Sequence, residues 1–250
     1  MSYICEAEAT DVMSRSVIKR DEAGAGAVRG AFRIGIASAR ANAIPMLFLW
    51  IFAAALSVSY HLIPCVAAAL QPLWRFQRDY GAWAAFANQF FFCGVIPAVF
   101  LLTVPSIRTR YPLLKALAQS LWCGAWGVVH LWFYGVQARL FGSGHDWATL
   151  AAKTAFDQFV WSPFVSVPLS SVFFLWLGSD FSRTGLSAKV RTGFVKRIVL
   201  PNLISSWCVW IPAVSAVYAL PLPLQVQTLG LVGSFWALMC LQIGKRVSAS

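Results

Sequence analysis

Residues 150–178 read LAAKTAFDQFVWSPFVSVPLSSVFFLWLG, and the class of the whole chain turns on this stretch. After Asp157 no charged residue occurs until Asp180. At about 1.5 Å of rise per residue, a helix over the 22 residues between them spans roughly 33 Å, close to the hydrocarbon thickness of a bilayer. The start of the stretch is different in kind. Lys153, Asp157 and Gln158 are polar, and Lys153 and Asp157, four residues apart, share one face of an α-helix. Either the two charges anchor a helix end at the headgroups, or they line a polar path between helices. The base-before-acid order is the weaker one for a simple intrahelical pair. A carboxylate turned to lipid without a partner is costly. The sequence therefore predicts that Lys153 and Asp157 interact on the bundle-facing side of this helix, with Gln158 close by.

The rest of the chain agrees with a span. Of 250 residues, 59% are hydrophobic and 12% charged, about half the charge of a typical soluble domain. The 12 Trp and 19 Phe suit spans with aromatic ends. A net charge of +11 in a soluble protein would raise nucleic acid as a partner. Here the basic residues lie between apolar runs, which the positive-inside rule explains without nucleic acid. The six cysteines form no CxxC pair, and five lie in or beside apolar runs, so they read as small buried thiols. His61, His130 and His145 are far apart in sequence and show no metal-ligand spacing.

Residues 1–42 form a polar tail. Glu6, Glu8, Asp11, Asp21 and Glu22 precede an acid-free stretch with Arg29, Arg33 and Arg40. The Arg-rich part is similar to a transit peptide, but the acids ahead of it break that pattern, and the first apolar run starts too late for a secretory signal. The tail reads as disordered or interfacial. Residues 43–246 read as a transmembrane helical bundle. Charge-free runs place spans at Ile44–Leu70, Trp83–Val104 (kinked at Pro97), Leu113–Ala138 and the opening stretch. The uncharged run Ile198–Gly244 is long enough for two more, with a turn near Leu220–Pro223. A bent or interfacial segment over Pro201–Leu220 is the alternative to the fifth crossing. The expected fold class is all-α, a polytopic membrane bundle of about six spans. No loop has room for a separate soluble domain.

Six spans also orient the chain. Sixteen Lys and Arg then fall on the side of both termini and of the loops around 105–115 and 180–197. The other side holds four: Arg75, Arg78, Arg139 and Lys153. That asymmetry predicts termini on the matrix, stromal or cytosolic side.

Three segments, taken in order, resemble one family. Gly127-Val-Val-His130-Leu-Trp132-Phe133-Tyr134 resembles its G-P-x-x-H-x-W-Y segment, with Val128 in place of Pro. Lys153-x-x-x-Asp157-Gln158-x-x-x-x-Pro163 matches its K-x-x-x-D-Q-x-x-x-x-P at every specified position. Trp207-x-x-Trp210-Ile-Pro212, Pro221 and Trp236 resemble its W-x-x-W-P, V-P and final W, with Ile211 inserted. Gln225 stands where the family has Arg when Pro221 is aligned. The family is the Mpv-seventeen and twenty-two-kilodalton peroxisomal membrane protein family. The resemblance covers roughly residues 110–246, with Ile44–Leu70 outside the family's four-helix core.

The resemblance implies a compact helical bundle in an organelle membrane, the mitochondrial inner membrane first and the peroxisomal membrane second. It also implies, as for some members, a weakly selective channel for small solutes. The alternative is a non-conducting structural or sorting component that recruits partners. Lys153, Asp157, Gln158 and His130 are the candidate pore or helix-packing polar residues. His130, beside Trp132 and Tyr134, reads as an interfacial or helix–helix hydrogen-bonding residue ahead of a proton relay. Trp207 and Trp210 read as an aromatic belt ahead of a ligand cage. Without HExxH, nucleophile elbow, P-loop or a cluster of intramembrane acids, no enzyme is expected. No cofactor is expected. The expected partners are the lipid bilayer, a second copy of the chain in a homo-oligomer, and small solutes if it conducts.

Overall fold

A computed structural model describes residues 43–102, 112–191 and 193–234, together with 30, 32, 33, 36 and 40. Most of the 1–42 tail, Trp236, Lys245 and Arg246 lie outside the described residues. Among the described residues all regular structure is helical. The order is α1 (Ala43–Leu62), α2 (Pro64–Tyr80), then α3 (Ala82–Gln89) running through a π-helical stretch (Phe90–Val95) into α4 (Ile96–Leu102). Next come α5 (Leu113–Phe141) and α6 (Trp147–Phe156), the latter continued by a π-helical stretch (Asp157–Ser166) and α7 (Val167–Gly178). The last elements among the described residues are α8 (Arg183–Arg191), a third π-helical stretch (Val195–Val199), α9 (Leu200–Tyr218) and α10 (222–234).

Among the described residues three helices are long and apolar enough to cross a membrane: Ala82–Phe100, Trp147–Gly178 and Val195–Tyr218. The count becomes four if α1 and α2 form one broken span. The six-span count is not confirmed, and the last expected span runs beyond residue 234, outside the described residues. The first one, Ile44–Leu70, is interrupted at Ile63, which is extended (φ −118°, ψ 102°), and the axis bends by 105°. Pro64 explains the break. Its ring drives the preceding residue out of the α region, while its fixed φ suits the first position of a new helix. The third, Leu113–Ala138, is one long helix, but Lys115, Gln119, His130 and Gln137 leave it short of the apolarity of a span. Where the fifth span is expected, Val195–Tyr218 is a continuous helix of spanning length. The turn near Leu220–Pro223 forms where expected, with the Leu224 amide donating to the Pro221 carbonyl at 2.8 Å.

Three prolines inside the long helices share one effect, which Pro72 and Pro212, with α-helix before them, do not show. Each π-helical stretch ends two residues before one: Val95 before Pro97, Ser166 before Pro168, Val199 before Pro201. Proline has no N–H for the carbonyl four residues back, and its ring presses on that carbonyl. Widening the preceding turn from α to π relieves the clash without ending the helix. At Pro97 the carbonyl concerned is that of Cys93, and the Cys123 thiol of α5 reaches it at 3.4 Å.

The chain divides into two compact units. In the first, within residues 155–211, Val167, Val199 and Leu203 form a buried cluster, with Phe194 and Trp207 packed on it. The Trp207 indole donates to the Gln158 carbonyl at 2.6 Å, and the Asn202 amide donates to Ser171 at 3.4 Å. Buried positions along the π-helical stretch step by five (Asp157, Ser162, Val167) before returning to helical spacing at Ser170, Phe174 and Leu177.

The second unit spans 45–154 and 212–234 of the described residues. Its centre is α5 lying along α3 and the π-helical stretch after it. The buried face of α5 runs Ala116, Ser120, Cys123, Gly127, Tyr134 and Gln137, and it is mostly small and polar. A side chain at Gly127 would overlap the Ala85 carbonyl and come within 2.6 Å of Gln89, so glycine is what permits this close approach. Outward faces are apolar: Leu113, Leu117, Leu121 and Trp132 on α5, and Trp83 and Phe91 opposite, are all exposed. Polar groups inside and large apolar groups outside invert the arrangement of a water-soluble domain.

Candidate functional site

The site is built around the loop between α5 and α6, Gly142–Asp146, which forms the turn its composition predicts. Asp146 starts α6. One of its oxygens accepts from the Thr149 amide at 3.0 Å and the other from the Thr149 hydroxyl at 2.7 Å, while its carbonyl accepts from Leu150. This satisfies amides that a helix start leaves open. The Thr149 hydroxyl and amide hold the Asp146 carboxyl below its usual range. A lowered folded value means the cap stabilises fully above about pH 4 and fades as pH falls through the folded value. Asp146→Ala should therefore speed amide exchange at Thr149 and Leu150 near neutral pH, and the difference from the native chain should shrink in acid. Equal exchange in both proteins at neutral pH would remove the cap from this account.

A cavity of about 200 Å³ opens beside the loop. Ser143 and His145 line it from the loop, Lys153 from α6, Leu220 and Pro221 from the turn after α9, and Gln225 from α10. Lys153 is only 3% exposed. Among the described residues its ammonium forms no ion pair and no hydrogen bond. Its carbonyl accepts from Gln137 at 3.5 Å. Gln225 donates its amide to the carbonyls of Leu220 (2.9 Å) and Tyr218 (3.4 Å), which end α9 without helical partners. On the far side of His145 lies His61, ring centre to ring centre 5.2 Å. His61 Nε2 donates to the Ala219 carbonyl at 2.7 Å; a carbonyl only accepts, so this nitrogen carries the hydrogen. The fold thus brings together two histidines 84 residues apart. Among the described residues no three His, Cys, Asp or Glu side chains gather as a metal ion would require.

The residues singled out from the sequence are dispersed. The expected Lys153–Asp157 ion pair is absent, since Lys153 has no ion-pair partner among the described residues. The acid whose charge bears on Lys153 is Asp146. The helix is still α from Lys153 to Phe156 and both residues are buried, so a shared face alone does not make an ion pair. Asp157 and Gln158 are buried but do not line the cavity. The Gln158 side-chain oxygen has no hydrogen-bond partner among the described residues, and its carbonyl holds Trp207. Trp207 thus ties one helix to another, and Trp210 is half-buried. His130 lies on α5 between Trp126 (5.7 Å) and Tyr134 (5.9 Å), away from the cavity. Trp132 points outward, 63% exposed. Pro163 sits inside the π-helical stretch, and Pro212 is exposed on α9. Gly127 and Pro221 have the packing and lining roles given above.

A second polar feature went unread in the sequence. Gln227 of α10 donates to Gln77 of α2 at 2.7 Å and accepts from Asn88 of α3 at 2.6 Å. Gln77 donates in turn to the Gly81 carbonyl at 2.8 Å, and Gln89 to the Val226 carbonyl at 3.4 Å. All four amides are buried. The available signal was Asn88-Gln89 and Gln225-x-Gln227, amides within otherwise uncharged runs. No family model, no curated protein and no solved structure matches the chain.

Proposed function

We propose that this chain is a multi-pass organelle membrane protein that lets small solutes cross with weak selectivity, without catalysis and without a cofactor. The observation that supports this reading best is Lys153, a buried cation without a protein partner among the described residues, beside a cavity in a helix otherwise apolar enough to span. Ionisable groups at such positions mark solute paths more often than they serve packing. On this proposal the chain is a divergent member of the Mpv-seventeen and twenty-two-kilodalton peroxisomal membrane protein family. It resides in the mitochondrial inner membrane or, second, the peroxisomal membrane, with both termini on the positive side.

The test is release of small neutral and charged solutes from vesicles reconstituted with the full chain. The native protein should release them faster than protein-free vesicles, and Lys153→Gln should change the rate for charged solutes several-fold while leaving neutral ones alone. A folded, inserted protein that releases nothing defeats conduction. The second reading, a non-conducting component that recruits partners, is favoured by the amide network, whose members are paired with one another and not arranged along a wet path. That outcome would leave it standing.

A further inference from the structure

A buried ammonium needs compensation, because removing charge from water costs far more than a neutral group's burial. Lys153 has no ion pair and no side-chain hydrogen bond among the described residues, and what compensation the protein gives it is the charge of Asp146 at longer range. Asp146, the acid that acts on it, has both oxygens committed to Thr149. The remaining polar lining, the Ser143 hydroxyl and the His145 ring, can supply one donor each. Gln225 differs. Its amide nitrogen is spent on Leu220 and Tyr218, and its side-chain oxygen makes no hydrogen bond among the described residues.

A single positive charge, two further donors and one acceptor in a small cavity describe a complement to a specific kind of ion. We propose that the cavity binds a small oxyanion, with the Lys153 ammonium as its counter-charge, Ser143 and His145 donating to its oxygens, and the Gln225 oxygen accepting a hydrogen the ion still carries. The acceptor favours a hydrogen-bearing phosphate over a carboxylate, which has no hydrogen to give. The volume agrees. About 200 Å³ is the share of roughly six or seven waters at about 30 Å³ each. That is room for phosphate with about four waters, and it lies below the roughly 300–1,000 Å³ of pockets for larger ligands. The same chemistry is carried by free phosphate and by the phosphate of a lipid headgroup, though the headgroup diester lacks the hydrogen. Binding at this site goes beyond the conduction proposed above and stands or falls without it.

The experiment uses the full chain in nanodiscs of phosphatidylcholine and measures equilibrium binding of labelled inorganic phosphate at fixed ionic strength. One saturable site per chain is expected, displaced by acetate only at much higher concentration and not by chloride. Lys153→Gln should weaken binding at least about tenfold, the scale of losing a charge-assisted hydrogen bond. Lys153→Arg should keep most of it. Ser143→Ala and His145→Ala, on an exposed loop, should each weaken it several-fold. Arg139→Gln, exposed and outside the lining, should bind like the native chain. Adding phosphatidylglycerol separates the sources: competition assigns the site to headgroup phosphate, and indifference assigns it to the free ion. If Lys153→Gln does not fold, the two loop variants carry the test. No saturable phosphate binding, displacement by chloride as readily as by acetate, or native affinity in all three lining variants would overturn the proposal.

Discussion

A Gly127→Val variant is expected to lose the packing of α5 on α3, and Gly127→Ala to lose a large part of it. The contact is with backbone. A methyl group at position 127 would overlap the Ala85 carbonyl, which cannot turn aside as a side chain can, and would also press on Gln89. Overpacking of this kind costs about 1–3 kcal/mol for one added methyl and more for a branched side chain. Gly135, eight residues along the same helix, has nothing within 4 Å of its would-be side chain. Gly135→Ala should therefore be neutral, or stabilising by up to about 1 kcal/mol, from helix propensity alone. Thermal unfolding in detergent, followed by tryptophan fluorescence, compares the two. Equal melting of Gly127→Ala and the native chain would mean that the helices do not approach as closely as described.

Gln227→Leu is the second large effect expected. The change removes the hydrogen bonds to Gln77 and Asn88 at once and leaves both amides buried. Each unpaired group costs about 1–3 kcal/mol, so a loss on the order of 3 kcal/mol is expected. The useful measurement is the cycle with Gln77→Leu. Once Gln227 is gone, Gln77 is a liability, and replacing it should cost little or regain stability. The double variant should then be clearly more stable than the sum of the singles predicts. Simple additivity would be the falsifying result, because it would mean that the two side chains do not depend on each other.

Most of the secondary structure was legible without coordinates. The charge-poor runs around Trp83–Val104, Leu150–Gly178 and Ile198–Tyr218 announce apolar helices, because spanning length and low charge are properties of consecutive residues. The same holds for the Gly142–Asp146 loop and the turn after Tyr218, where Gly, Ser, Asp and Pro act on their own backbone. Pro97 was legible as a disturbance, though not as a widened turn. Pro64 was visible too, but a hydropathy pattern runs straight through Ile63 and does not see that its backbone has left the helix.

The polar groups divide differently. That Lys153 is special follows from its place in an apolar run. What it faces does not, because a shared helix face says nothing of which other elements pack against it. Its surroundings come instead from Ser143, His145 and Gln225, contributed by a loop and by a helix some 70 residues away. The approach of His61 to His145, the binding of Gln227 to Gln77 and Asn88, and the tie from Trp207 to Gln158 were likewise decided by tertiary structure alone. Apolarity is a local property and accumulates along the chain. A buried polar group must find its partner wherever packing places one, so its chemistry is set by which helices meet and at what height.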